Sequence, residues 1–598
     1  MNLNKTLQQR KQDFKRAMFQ KASAHMLGQK TARSQQLRSA ACTFTSTTQK
    51  NTADLTVGIV GGGMAGLYAA LLLQDQGIDF HIFEADPERP GGRVLTHYFN
   101  DDSHQYAELG AMRFPDSELQ SRLFSTWDYL NSTVGATPGA AEIRKIPYIL
   151  HDAATAPDAG NLMCFNGQMP VTRNQVEADN STLGFDGLFQ GPEWDYFKDA
   201  GALKPAQDLL DAVVQPFLDK FEDEGIDLAW DYLLQWDAYS ARGYMQELGD
   251  GTQPYPSRIV DYIETVVTYT GIFDLAFVEL VLDQFSFSET DSWYAMDDGT
   301  ARITDELINR IPAEKITMGA RVVGLSETTG QATISYRSSD GGALQTASFD
   351  RVIETLPFSI LRFIETPASW SAGKYEAMRM LKMTNSTKIA LGFKSRFWEQ
   401  SGPYSQGMAG GQSDTDLAVR SVVYPSFGIG EAGPAYLLGS YCWQNDADKF
   451  SHLSKEALLA AALKDVAVLH GDQVYGQYLG DGASVVWNRE QYAGGAFEFF
   501  ASGQFGDLFH AACEPEGRFH FAGEHLDMVH YWIAGAFNSA YRTVWEALIL
   551  EGLDSPENMD ILESSMGGGE IFPSMVPTIA LTEVRTSKAD SPVTEAVD

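Results

Sequence analysis

The feature that most constrains this chain is a glycine turn set between a short apolar strand and a helix. Leu55 to Val60 reads Leu-Thr-Val-Gly-Ile-Val, apolar without alternation, as expected of a strand buried on both faces. It runs into Gly61-Gly62-Gly63-Met64-Ala65-Gly66, and Leu67 to Gln76 then carries helix formers. Gly61, Gly63 and Gly66 satisfy the Gly-x-Gly-x-x-Gly pattern. The first allows a tight turn, the second lets the backbone approach a pyrophosphate, and the third lets the helix pack on the strand. The anion would then lie at the helix N-terminus, beside Met64 and Ala65, where free N–H groups and the helix dipole favour negative charge. A second strand, Phe80 to Phe83, ends at Glu84 and Ala85. Glu84 lies 18 residues past Gly66, near the spacing of about 20 expected for an acid that accepts from a ribose hydroxyl. The order strand, turn, helix, strand, acid predicts an α/β, Rossmann-like dinucleotide-binding unit. It does not separate a nicotinamide from a flavin.

The chain has 598 residues, 44% of them hydrophobic, too many for a single core; length alone suggests ~3–4 domains. Its net charge of −35 argues against a nucleic-acid partner, because phosphate backbones are bound by positive surfaces. The charge is uneven: residues 1–50 hold ten bases and one acid. With no continuous apolar stretch, residues 1–53 read as a basic leader or propeptide-like segment rather than a secretory signal. The four cysteines form no Cys-x-x-Cys pair, so reduced thiols and a cytoplasmic location are expected. The one long apolar run, Val57 to Leu73, is broken by five glycines, which argues against a membrane span. Apolar residues at three-to-four spacing predict helices over 203–221, 228–239 and 258–283. Residues 553–598 read as an acidic, disordered tail.

Further along, Glu88-Arg89-Pro90-Gly91-Gly92-Arg93 follows the acid. Then come Glu108-Leu-Gly-Ala-Met-Arg-Phe-Pro115, Arg321-Val322-Val323-Gly-Leu, and Arg351-Val-Ile-Glu-Thr-Leu-Pro357. Ser386-Thr-Lys-Ile-Ala-Leu-Gly-Phe, Leu437-Leu-Gly-Ser-Tyr441-Cys-Trp and Trp487-Asn-Arg-Glu-Gln-Tyr-Ala-Gly-Gly-Ala-Phe497-Glu498 follow. The series closes with Phe519-His-Phe-Ala-Gly-Glu-His525 and Val529-His-Tyr-Trp-Ile-Ala-Gly-Ala536. In this order, from about 55 to 550, the motifs resemble the L-amino acid oxidase branch of the flavin amine oxidase family. The resemblance implies an FAD-binding domain built from 54–116, 300–355 and 480–552, a mixed-sheet substrate domain from 117–200 and 356–479, and a helical insertion, 201–299, shaping the way in.

The resemblance also implies roles. Gly92 and Arg93 return to the pyrophosphate; Gly110, Ala111 and Met112 lie against the flavin; Val322 passes the adenine; Trp487 packs near the ring. Gly523 and Glu524 approach the ribityl-phosphate region, and Trp532 and Ile533 border the flavin. Arg113, a planar permanent cation, would clamp a substrate carboxylate, with a hydroxyl added by Tyr441. Lys388 would hold a water near the flavin and assist reoxidation by O₂. Phe497 and Glu498 would reach the side-chain pocket, although strand alternation turns only one of them inward. Tyr531 stands where relatives often carry a small residue, and Ala534 where they carry an acid. Residues 519–536 contain no cysteine, so the FAD is expected to be non-covalent. His525 and His530 lack a third ligand cluster, so no metal is expected.

The activity so implied is oxidative deamination of an L-amino acid to a 2-oxo acid, ammonia and H₂O₂, with hydride passing from Cα to flavin N5 and O₂ as acceptor. The alternatives are an amino acid 2-monooxygenase, which releases the amide, and a polyamine or monoamine oxidase, which Arg113 opposes. A homodimer is expected from family habit. Side-chain preference is left open between basic, aromatic and broad.

Overall fold

The computed structural model describes residues 51–152, 158–224, 226–286, 292–328, 330–402, 405–528 and 530–568. The basic segment 1–50 and the last part of the tail, 569–598, lie outside the described residues.

The first strand, Thr56–Val60, pairs in parallel with Asp79–Phe83 on one side and with Arg351–Glu354 on the other. Ile316–Thr317 and Phe519–Phe521 complete a five-stranded parallel sheet at its two edges. A central parallel strand is covered on both faces, which is why Val57, Ile59 and Val60 are all buried. Gly58 is needed for that covering: a Cβ there would stand 2.6 Å from Cδ2 of Phe349 and 2.7 Å from Cδ1 of Ile334. These two side chains belong to a three-stranded antiparallel sheet, Ala320–Thr328, Gln331–Ser338 and Gln345–Phe349, which leans on the parallel one.

The helix after the glycine turn runs Met64–Asp75, and its residues 64–73 are all buried. A helix apolar on every side needs cover on every side. The sheet supplies part of it, and the C-terminal helix Ile533–Leu550 supplies much of the rest, with Phe537 stacked on Tyr68 at 4.3 Å.

A second unit is a seven-stranded mixed sheet in the order Tyr478–Val486, Ser386–Phe393, Ala435–Trp443, Ser421–Val423, Gln412–Thr415, Leu162–Cys164, Val171–Thr172. The strand Tyr478–Val486, which the sequence places in the nucleotide unit from residue 480, pairs here with Ser386–Phe393 instead. All eight residues of Ser386–Phe393 are buried, as befits a strand flanked on both edges.

The region 201–299 is mainly helical, with helices at Ala206–Glu224, Ile226–Leu234, Ala241–Glu247, Ser257–Val266 and Phe277–Ser286. The single helix expected over 258–283 is broken. Thr268 and Gly271 adopt left-handed backbone angles, φ 61° and 82°, and the chain passes through a short turn at Ile272–Asp274 before resuming. The reading of 553–598 as disordered also fails at its start. Ser555 caps a helix, Pro556–Ser564, by accepting from the Asn558 amide at 3.2 Å. Leu562 and Met566 are buried, worth about 1.5–3 kcal/mol each if the chain would otherwise expose them. Among the described residues no helix is long and apolar enough to cross a membrane.

Candidate active site

The carboxyl ends of the parallel strands open onto a cavity of about 370 Å³. Ligands of open α/β sheets lie at such strand ends. Gly61, Gly63, Met64 and Ala65 form part of its wall. Gly61 takes a φ of +99° and lets the chain leave the strand. Gly63 faces open space, with nothing within 4 Å of where a Cβ would stand. Gly66 is absent from the wall; a Cβ there would fall 2.0 Å from the Gly61 carbonyl oxygen, so this glycine serves helix–strand contact. Glu84 and Ala85 line the cavity at the end of the second strand. The Glu84 carboxylate accepts from the Gly62 amide at 2.6 Å and the Asp86 amide at 2.7 Å. Burial pushes its pKa up, and those two amide bonds hold it back.

Gly91 and Gly92 return the chain to the turn, with the Gly91 amide donating to the Gly62 carbonyl at 2.9 Å. Gly92 and Arg93 are both on the wall. The guanidinium of Arg93, expected at a pyrophosphate, donates to Glu524 at 2.6 Å and to the Ala496 carbonyl at 3.2 Å. The other oxygen of Glu524 accepts from the Tyr531 amide at 2.8 Å. Val322 lines the cavity beside a register shift in its strand, between Val322 and Gly324, the kind of irregularity that re-aims a segment towards a site. Gly523, Glu524, Trp532 and Ile533 close the wall.

These residues fit a flavin dinucleotide. A glycine cradle open at Gly63, a buried acid at the second strand and a helix N-terminus with no side-chain cap meet along one cavity, whose wall adds aliphatic and aromatic side chains.

Gly110, Ala111, Met112 and Arg113 bring the next segment in. Its geometry is fixed from behind: Trp487 donates from Nε1 to the Leu109 carbonyl at 3.1 Å. Lys388 donates to the Gly110 carbonyl at 2.6 Å and the Glu108 carbonyl at 3.3 Å. Lys388 stands opposite Tyr441 across the strand pair, so its Nζ lies 4.6 Å from the centre of that ring. Burial lowers the Lys388 pKa, the Glu108 carboxylate opposes this and the Arg113 charge adds to it. Burial in turn raises Glu108, which accepts from Thr96 at 2.8 Å. The Arg113 guanidinium lies 5.9 Å from the centres of both the Tyr148 and Tyr441 rings. Both phenols are raised by burial and eased down by Arg113.

Around Arg113 the wall is aromatic: Tyr441, Trp443, Phe497, Phe499, Tyr531 and Trp532. Tyr531 stacks on Phe499 at 5.0 Å with 8° between the rings. It keeps a left-handed backbone, φ 56°, rare for a side chain of this size. Strand alternation resolves the pair at 497–498: Phe497 faces the cavity and Glu498 does not. Glu498 is fully buried behind the wall, its carboxyl pushed up to about 8 by burial and by Glu524, with Arg93 and His530 opposing. It therefore offers no charge to a side chain in the cavity.

His530 pairs with Glu279 at 2.7 Å. Burial works against its charge, but Glu279, Glu524 and Glu498 prevail and hold it up at about 9. His525 is buried against Phe358, and no metal-binding group of His, Cys, Asp or Glu occurs among the described residues. Ala534 is fully buried in the C-terminal helix.

Sequence reasoning missed Tyr148, Trp443, Phe499 and Asp283. Asp283 left a signal: in Phe277-Val-Glu-Leu-Val-Leu-Asp283 two acids four residues apart interrupt an apolar helix, and acids on such a face need partners or a task.

The sequence profile of the flavin-containing amine oxidoreductases matches residues 64–548. A Dictyostelium discoideum protein provisionally named a bifunctional amine oxidase is 38% identical over 85% of this chain, and the chain spans 47% of that relative's length. L-amino-acid oxidase 4 of Hebeloma cylindrosporum is 30% identical, covering 82% of this chain and 81% of its own. In fold, the chain is similar to a putrescine oxidase variant (TM-score 0.61, 16% identity, 83% of this chain and 99% of the other). It is also similar to the cyclohexylamine oxidase of Brevibacterium oxydans (TM-score 0.59, 15% identity, 84% and 100%). With the profile covering most of the sequence and the nucleotide cradle in place, the chain belongs to the flavin-containing amine oxidoreductase family, whose cofactor is FAD.

Proposed function

We propose that the protein oxidises L-amino acids, consuming O₂ and water and releasing the 2-oxo acid, ammonia and H₂O₂. The observation that carries this reading is Arg113. It lies on the cavity wall, 5.9 Å from the centres of the Tyr148 and Tyr441 rings, in a largely aromatic site. A guanidinium there suits a carboxylate, which its forked donors hold in one orientation; a simple amine has no group for it. The relatives named L-amino-acid oxidase support the same reading.

FAD would be held by Gly61 to Ala65, Glu84, Gly92, Arg93, Val322, Gly523 and Ile533, without a covalent bond, and when bound it supplies the electron acceptor for the Cα–H bond. The chain's own residues do the rest. Arg113, with Tyr441 beside it, fixes the α-carboxylate and so the direction of the Cα–H bond. Phe497, Tyr531 and Trp532 exclude water, which favours the neutral α-amine that must release electrons towards carbon. Lys388, held by the Gly110 carbonyl on the cavity wall, would assist reoxidation by O₂.

The test is H₂O₂ release across L- and D-amino acids, putrescine and monoamines, with products identified by mass spectrometry. L-amino acids should be consumed and 2-oxo acids formed. Amide as the product would make the protein a monooxygenase, and turnover of amines alone would make it an amine oxidase. Arg113→Ala should lower kcat/KM for every amino acid by roughly 100-fold or more, the cost of removing one partner of a buried charge pair. Unchanged turnover would remove Arg113 from the clamp.

A further inference from the structure

Among the charged residues on the cavity wall, Asp283 is unlike the others. Glu84 is engaged by backbone amides, and Glu524 is met by Arg93. Asp283 lies with Arg113 and the aromatic residues, is 2% exposed, and has no Lys, Arg or His at ion-pair distance among the described residues. Its two oxygens accept from neutral phenols, Oδ1 from Tyr531 at 2.8 Å and Oδ2 from Tyr269. Four residues earlier on the same helix, Glu279 is equally buried but has its counter-ion in His530 at 2.7 Å. The helix Phe277–Ser286 thus turns two acids towards consecutive residues, 530 and 531; one is in direct contact with a cation, and the other feels only the Arg113 charge from further off.

A buried carboxylate facing a cavity is stabilised when a ligand cation completes it. Tyr531, Phe497 and Trp443 line the same cavity, and aromatic rings attract cations more than neutral groups. Arg113 occupies the same cavity and would take a carboxylate. A ligand bound between the two is negative at one end, cationic at the other and slender enough to pass between aromatic walls.

The geometry points to Asp283 as the specificity determinant for L-amino acids whose side chain ends in a cation, an ammonium or a guanidinium. This rests on the amino-acid reading of Arg113. Asp283 lies on the cavity wall, whereas Glu498, the other acid considered for the side-chain pocket, does not. Burial raises its pKa to about 6, with the hydrogen bonds from Tyr269 and Tyr531 and the Arg113 charge pulling down and Glu279 pushing up. The carboxylate is therefore charged above that pH.

The experiment measures kcat/KM, by H₂O₂ release, for L-lysine, L-ornithine and L-arginine against L-leucine and L-phenylalanine. The wild type should favour the basic group. Asp283→Asn keeps the shape, and should lower kcat/KM for basic substrates on the order of 30-fold or more while leaving leucine within about threefold. An unchanged basic-to-apolar ratio in the variant, an equal loss on all substrates, or a wild type that favours leucine would each overturn the assignment. Should the variant fail to fold, the wild-type ratio itself is read against pH. It should fall as pH drops through about 6, and a flat ratio counts against Asp283. A wild type that oxidises putrescine but no amino acid would instead overturn the reading of Arg113.

Discussion

Lys388 shows how a single residue acquires its setting from two strands. Its own strand is buried from end to end, and the facing strand places Tyr441 directly opposite. The ammonium is left with two carbonyls and one ring as neighbours, and with Glu108 as the nearby charge that keeps it from losing its proton outright. Burial brings its pKa down to about 7, with Glu108 opposing, and in its protonated form it is already in place before electrons move, which costs no reorganisation when they do. Lys388→Met should therefore slow reoxidation of the reduced enzyme by O₂, by ~100-fold. Reduction by substrate in the absence of O₂ should stay within a few-fold. Stopped-flow absorbance separates the two half-reactions, and equal slowing of both would assign Lys388 to substrate binding instead. Arg113, Tyr441 and Lys388 can be placed at a shared cavity from the sequence because each sits in a motif that resembles the family. Asp283 was not read, because nothing local distinguishes an acid facing a cavity from one facing a histidine; Glu279 and Asp283 look alike until residues 530 and 531 are placed beside them.

At the scale of elements, the glycine turn divides its work between two positions that the sequence writes with the same letter. Gly66 has a backbone carbonyl where its Cβ would be, whereas Gly63 has empty cavity. Gly66→Ala should destabilise the protein with or without FAD, by 1–3 kcal/mol or more, as overpacking against backbone does. Gly63→Ala should leave the melting temperature of the FAD-free protein within about 1 °C and weaken FAD binding, read by flavin absorbance after gel filtration. Loss of stability in both would merge the two roles. The strand–turn–helix–strand unit was legible because its periods and punctuation are local. The break between Val266 and Phe277 and the capped helix after Ser555 were not. The first depends on left-handed angles at Thr268 and Gly271, and the second on burial of Leu562 and Met566 by distant parts of the chain. Alternation narrows Phe497 and Glu498 to one inward residue, and only the assembled cavity wall says which.

At the scale of the molecule, the cavity wall draws on segments from Val60 to Ala536, so FAD should act as a cross-brace between the parallel sheet and the mixed one. Binding to the folded state alone stabilises by about 4 kcal/mol at a thousandfold excess over Kd. Stripping FAD should lower the melting temperature and re-addition should restore it in a concentration-dependent way, as calorimetry would show; an unchanged transition would mean that the cradle contributes nothing to the fold. The strand order has a consequence for biosynthesis. Thr56–Val60 lies in the middle of its sheet, yet its partner on one side is Arg351–Glu354, and the edge beyond that is Phe519–Phe521. The helix Met64–Asp75 also waits for Ile533–Leu550 to cover it. At 5–20 residues per second on the ribosome, roughly 25–100 s pass between the first strand and its last cover. For that interval the nascent chain carries an apolar strand and an apolar helix without their full native cover, which makes it a client for holding chaperones long before it can bind its cofactor.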